Sequence, residues 1–170
     1  PTTLPPASEA PTTTVDPAEA FAADVEADLL ETFRLTDEAF QDPTNDAKVE
    51  AALAGYTGDA LDVIAARFEE FRLNNWATRP NPEVPAASIV ENKPVPNGTQ
   101  TDAFVVQVCE VNSWIIVEPG AGPDESDAIV DPELLTYRSL FLLELEQNGW
   151  QVSAGERLGE WPGVVECPPE

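Results

Sequence analysis

The chain has 170 residues, 32 of them acidic and 8 basic, for a net charge of −24, and it contains no histidine and no methionine. Nucleic acid is excluded as a partner, because phosphate binding requires clustered Lys and Arg that release counterions; anionic membrane surfaces are excluded on the same ground. No apolar run approaches the roughly 18–20 residues that cross a bilayer, so no direct membrane insertion of this segment is expected.

The charge suits solubility or a saline habitat; the competing reading is a surface for cations or a basic partner. The length fits one domain plus a tail. A domain of roughly 150 residues buries about 68–70% of its unfolded surface, enough for its own core. The opening stretch PTTLPPASEAPTTTVDP has no apolar periodicity and cannot pack. Residues 1–16 are therefore expected to be a disordered Pro/Thr-rich tether, ahead of a folded domain over 17–170. The stretch is not a signal peptide but has the character of a mature N-terminus left once a signal peptide is cleaved, so a leader or membrane anchor removed from the N-terminus is expected.

Asp16-Pro17-Ala18-Glu19 starts a helix, with Asp at the N-cap, Pro at the first helical position and Glu at the third. Phe21, Val25, Leu29, Phe33 and Phe40 form its apolar stripe, joined by Ala22 and Leu30. It should end at Asp42-Pro43, because Pro disfavours helical geometry in the residue before it. A second helix is expected from about Asn45 to Ala54, with Gly55 as its C-cap. A third starts near Thr57-Gly58-Asp59, buries Leu61, Ile64, Ala65, Phe68 and Phe71, and stops at Asn74-Asn75.

Beyond the third helix the pattern is that of strands. Residues 84–91 predict a weak strand, weakened by Pro82 and Pro85. Pro96-Asn97-Gly98 predicts a turn, and Asn97-Gly98-Thr99 matches a glycosylation sequon, relevant only in a eukaryotic secretory host. TDAFVVQVCEVNSWIIV predicts one long strand, with Val105, Gln107, Cys109 and Val111 on one face and Phe104, Val106, Val108 and Glu110 on the other. EPGAGPDESD predicts a loop. Residues 134–146 predict the next strand, with Leu135, Tyr137, Phe141, Leu143 and Leu145 on its more apolar face. Asn148-Gly149 suits a type I′ turn into WQVSAGE. The remainder, RLGEWPGVVECPPE, is expected as a tail lying back on the body.

Helices segregated before a meandering four-stranded antiparallel sheet mean an α+β fold. With GYTGDAL before the third helix, AFVVQVCEV in the central strand, LEQNGWQV at the last hairpin and a late cysteine in VVECPP, the chain resembles the nuclear transport factor 2-like, cystatin-like cone. The resemblance covers roughly residues 17–170 and is to the version found in exported actinobacterial proteins, often lipoproteins. It implies three N-terminal helices packed on a curved sheet. The acidity and the Pro-rich insert around residues 79–97 depart from the usual pattern.

Two readings compete for the cysteines. A reactive thiol wants a nearby His, Lys or Arg to lower its pKa; there is no histidine, Cys109 is flanked by valines and an acid, and Cys167 follows Glu166. The other reading, favoured here, is a Cys109–Cys167 disulfide closing a loop of roughly 60 residues, for which the chain-entropy model gives at most about 4 kcal/mol. It agrees with export, since disulfides persist outside the reducing cytosol. An extracellular or cell-envelope location is expected.

Without histidine the usual general base and the commonest transition-metal ligand are missing. No cofactor is expected. Asp124-Glu125-Ser126-Asp127 with Asp131 offers hard oxygen ligands for calcium but lacks EF-hand spacing, and a solvated loop is the expectation. In relatives the cone carries steroid isomerases and polyketide cyclases with an acidic base and Tyr or Asp donors. Tyr56, Tyr137 and an acid such as Asp28 are candidates for those roles, against simple packing at a helix junction and on a strand; no family catalytic residue maps onto this chain. Trp76 and Trp114 are candidates to rim an apolar pocket, with Tyr137 and Tyr56, against a plain role as core aromatics. The leading functional expectation is a non-enzymatic, tethered, exported domain that binds a small apolar ligand or an envelope protein. The alternatives are an isomerase- or cyclase-type enzyme and a structural module of a cell-envelope assembly.

Overall fold

The computed structural model describes residues 17–96, 102–132 and 134–168, with backbone only at 17–21 and 91–96. The expected tether at 1–16 and the Asn97-Gly98-Thr99 sequon lie outside the described residues. Three helices come first: α1 (Pro17–Gln41), α2 (Asp46–Leu53) and α3 (Gly58–Leu73). Among the described residues seven strands come after them: β1 (Ala77–Arg79), β2 (Ala87–Pro96), β3 (Ala103–Asn112), β4 (Ile115–Glu118), β5 (Ala128–Asp131), β6 (Leu135–Glu146) and β7 (Gly149–Pro162). The fold is α+β. The main sheet is four-stranded and antiparallel, in the order β2-β3-β6-β7.

A second sheet, β1-β4-β5, was not foreseen. The expected long strand 101–117 is two strands in two different sheets. It breaks at Ser113-Trp114, where the Asn112 side chain accepts the Trp114 backbone N–H at 3.1 Å and the buried Ser113 hydroxyl donates to the Val84 carbonyl. Asn and Ser side chains compete with ladder hydrogen bonds in this way. The expected loop 118–127 follows β4, but Ala128–Asp131, where no strand was expected, pairs with β4. The weak strand expected at 84–91 lies later, at 87–96, and the expected tail is β-structure as far as Pro162.

Two apolar clusters hold the layers together. Val25 and Leu29 of α1 pack on Val106, Val108, Leu143, Trp150 and Val152 of the sheet. Ala39, Val49, Ala52 and Phe68 knit the three helices, with Phe40 stacked on Phe68 at 4.3 Å between ring centroids. Register shifts between Arg138 and Ser139 and between Leu142 and Leu143 interrupt the β6–β7 ladder; such bulges bend a strand. The sheet face between the two clusters is therefore not filled by them.

Candidate functional site

A cavity of about 710 Å3 opens there. Its walls are largely apolar, with Phe33, Phe40, Ile64, Phe71, Ile116 and Phe141 among them. Asp37, Tyr56, Glu110, Trp114, Tyr137 and Arg157 are among its polar lining side chains.

Each element delivers its side chain for a local reason. Asp37 stands where the α1 stripe, stepping by four through Val25, Leu29 and Phe33, would place its next apolar residue. Glu110 likewise comes after Val106 and Val108 on the core-facing side of β3. Both strand neighbours are buried (4% and 0% exposed), so alternation carries the carboxyl inward. Tyr56 sits in the short α2–α3 connection, which pairs with β7: Val152 N–H donates to the Gly55 carbonyl and Thr57 N–H to the Val152 carbonyl, both at 2.9 Å. Tyr137 is the direct cross-strand partner of Glu110. The Arg157 guanidinium lies 3.9 Å from the centre of the Tyr137 ring and donates to Glu160 at 2.5 Å.

The electrostatics are set by burial. Burial pushes the Glu110 carboxyl up to about 7, the Asp37 charge adds to the shift, and Arg157 opposes it. Burial also raises Asp37 to about 6, against a hydrogen bond donated by the Trp114 side chain. Burial is the largest effect on Tyr56 too, which rises to about 12; its hydrogen bond with Thr36 opposes the rise, and the Glu110 and Asp37 charges add to it. The site thus holds two carboxyls that titrate near neutrality and a phenol that stays neutral.

The Tyr56 hydroxyl hydrogen-bonds with the Thr36 hydroxyl at 3.0 Å, a pair in which either oxygen can donate, and the Thr36 hydroxyl also reaches the Thr32 carbonyl at 2.8 Å. The phenol oxygen keeps a lone pair in either arrangement.

Of the residues singled out from sequence, Tyr56, Trp114 and Tyr137 line this cavity and Trp76 does not. Trp76 packs edge-on against Phe71, 5.9 Å between ring centroids. Asp28 is not at the cavity either: its carboxylate accepts the Trp150 backbone N–H at 3.0 Å and ties α1 to the last hairpin. Asp37 and Glu110, the two lining acids whose titration burial shifts, were not singled out as site residues. Their signal was legible as a charged residue at an apolar position of a helical and of a strand pattern. Cys109 and Cys167 form a disulfide, with Cα atoms 6.0 Å apart. In the acidic loop, Asp127 pairs with Arg79 at 2.7 Å. Among the described residues, no three acids or cysteines are grouped to hold a metal ion.

No protein-family model matches the chain, and no curated protein matches it. Among solved structures, the intermembrane space region of the chloroplast protein ARC6 is similar at a TM-score of 0.55 and 14% identity, over 85% of this chain and 98% of that one. A ketosteroid isomerase-like protein from Erwinia carotovora atroseptica is 17% identical over 81% of this chain and 96% of that one, at a TM-score of 0.48. At such identities a likeness concerns the fold. This chain has three helices laid on an antiparallel sheet around a cavity, the α+β cone expected from its sequence. Among the described residues no helix is long and apolar enough to cross a membrane. That and the disulfide are compatible with an extracellular domain.

Proposed function

We propose that this protein is a non-enzymatic binding domain of the cell exterior, which holds a small, largely apolar molecule in the cone. The observation that carries the reading is the cavity: about 710 Å3, with largely apolar walls that also carry acidic and hydroxyl groups. Volumes of roughly 300–1,000 Å3 with that lining are typical of small-molecule sites. Export is supported by the disulfide and by the Pro/Thr-rich opening sequence. Tethering through an N-terminal anchor, as in the exported actinobacterial lipoproteins the chain resembles, belongs to the same proposal. Native mass spectrometry of protein purified from its natural host tests it. A retained small molecule that leaves on denaturation is expected. Protein that is empty, and stays empty when offered apolar compounds of this size, would count against ligand binding and in favour of an envelope protein partner.

A second reading has one observation in its favour. Glu110 and Asp37 titrate near 7 and 6, the range in which a carboxylate acts as a general base. An isomerase- or cyclase-type proton transfer would use Glu110 as base. It would also need a donor for the developing enolate oxygen, a role the Tyr56 hydroxyl can fill only where Thr36 is the donor in their shared hydrogen bond. Exchange of α-hydrogens of a cyclic ketone for deuterium, abolished in Glu110→Gln, would support this reading; an exchange rate in the wild type no higher than that of buffer would remove it.

A further inference from the structure

The donor and acceptor pattern of the cavity says more than its size. Acids dominate the polar lining: the Asp37 and Glu110 carboxyls stand beside the Tyr56 oxygen, which offers a further lone pair. The charges lining the cavity are mostly of one sign. Asp37 on α1, Asp59 on α3, Glu110 on β3, Asp131 on β5 and Glu156 on β7 face two cations, Arg67 and Arg157. Both guanidiniums are already engaged, Arg67 with Glu70 and the Phe71 ring, and Arg157 with Glu160 and the Tyr137 ring. A further polar atom lies in the wall. Thr78 lines the cavity, is 6% exposed, and its hydroxyl has no hydrogen-bond partner. Much of the remaining wall is aromatic, and aromatic faces attract organic cations.

A ligand that fits this pattern donates hydrogen bonds, carries positive charge at one end and is apolar elsewhere. Resting on the reading of the cavity as a small-molecule site, we propose that its ligand is an organic amine: a ring-sized apolar body bearing a protonated primary or secondary amine, whose N–H groups are received by Asp37, Glu110 and the Tyr56 oxygen. An anionic ligand would meet the acids without a free cation to pair with. A carbonyl compound would face acceptors with its own acceptor.

Three probes that share one ring system separate the alternatives: 2-naphthylmethylamine, 2-naphthylmethanol and 2-naphthoate, titrated into the oxidised full chain at neutral pH and followed calorimetrically. The amine should bind at least about tenfold more tightly than the alcohol, and the carboxylate most weakly. In an Asp37→Asn, Glu110→Gln double variant the amine should fall to the affinity of the alcohol, with the alcohol unchanged. A surface pair with the same change of charge, Asp62→Asn with Glu50→Gln, should leave all three affinities unchanged. Because the cavity double variant replaces two partly buried groups, Thr36→Val gives an independent arm. It removes the hydroxyl that pairs with Tyr56 and leaves the Tyr56 proton free for the cavity, so amine binding should weaken and carboxylate binding strengthen. Equal affinity for amine and alcohol would overturn the amine proposal and leave the cavity reading standing. An equal loss in the surface pair would also overturn it, since the attraction would then come from the net charge. Binding of none of the three probes to folded protein would overturn both.

Discussion

Gly55 was expected to end α2 in a left-handed conformation, yet the helix closes on Ala54 in right-handed geometry and Gly55 has no positive φ. Its reason is proximity: a Cβ there would lie 2.4 Å from the Thr32 hydroxyl oxygen and 2.6 Å from its methyl carbon. Gly55→Ala should therefore cost about 1–3 kcal/mol in urea unfolding, the usual cost of forcing an atom into a packed site. The same contact fixes the connection that carries Tyr56, so the cavity should change with it. Glu110 makes a prediction in pH. Its carboxyl titrates at 4.5 when unfolded and about 7 when folded. Between those values the folded state holds a proton that the unfolded state has lost. The stabilisation is complete below about pH 4.5 and disappears as pH rises through 7. From pH 5 to pH 8 the wild type should lose on the order of 2–3 kcal/mol more than Glu110→Gln, which does not titrate. The comparison with the variant removes the general effect of the acidic surface, which acts in the same direction.

Between elements, few polar ties position the cavity, and Asp28 makes one of them. Its carboxylate receives the Trp150 N–H and lies against Gly149, where a Cβ would come within 2.9 Å of the Asp28 oxygen. Gly149 alone supplies the left-handed step of that hairpin, at φ 111°; Asn148 has no positive φ, so the turn is not the type I′ that Asn-Gly favours. Asp28→Ala should cost about 1–3 kcal/mol, because a buried donor loses its acceptor. The Trp150 amide should then exchange hydrogen faster, while amides of β3 at Val106 and Val108 change less. Unchanged exchange at Trp150 would mean that the helix–hairpin contact is held by apolar packing alone.

Across the whole molecule, the disulfide joins the central strand to the residues after β7. Cys109 lies mid-sheet and is 5% exposed, and the closing segment is further held where Thr136 donates to the Val164 carbonyl and Arg138 to the Pro168 carbonyl at 2.7 Å. The bridge closes a loop with a sequence separation of 58 residues. Replacing both cysteines by serine should lower stability by about 4 kcal/mol in the chain-entropy account. The helix–sheet core that surrounds the cavity contains neither sulfur. The oxidised wild type and the double serine variant should therefore bind the same cavity ligand with similar affinity under conditions where both are folded. A large loss of binding would show that the closing segment shapes the cavity through the sheet.

The helices were legible because their signals are local: a proline at the first helical turn, an apolar stripe at helical spacing, and Asn-Asn or Asp-Pro at the ends, all within a few residues of the positions they control. The order of helices before strands, the α+β class and the apolar faces of β3 and β6 came from the same patterns. Leu145, expected on the apolar face of β6, is 47% exposed. The second sheet was not legible. β1 and β5 are three and four residues long and gain their definition from pairing with β4. The site was half legible. Tyr56, Trp114 and Tyr137 stood out as residue types, whereas Asp37 and Glu110, two of 32 acids, were marked only by standing at apolar positions of a helical and a strand pattern. What made them distinct is burial and, for Glu110, the Asp37 charge, and both arise only when α1 is laid on the sheet. Sequence patterns set which residues turn inward along one element. Which inward residues of different elements meet, and so which protons are shifted, depends on packing between segments far apart in the chain.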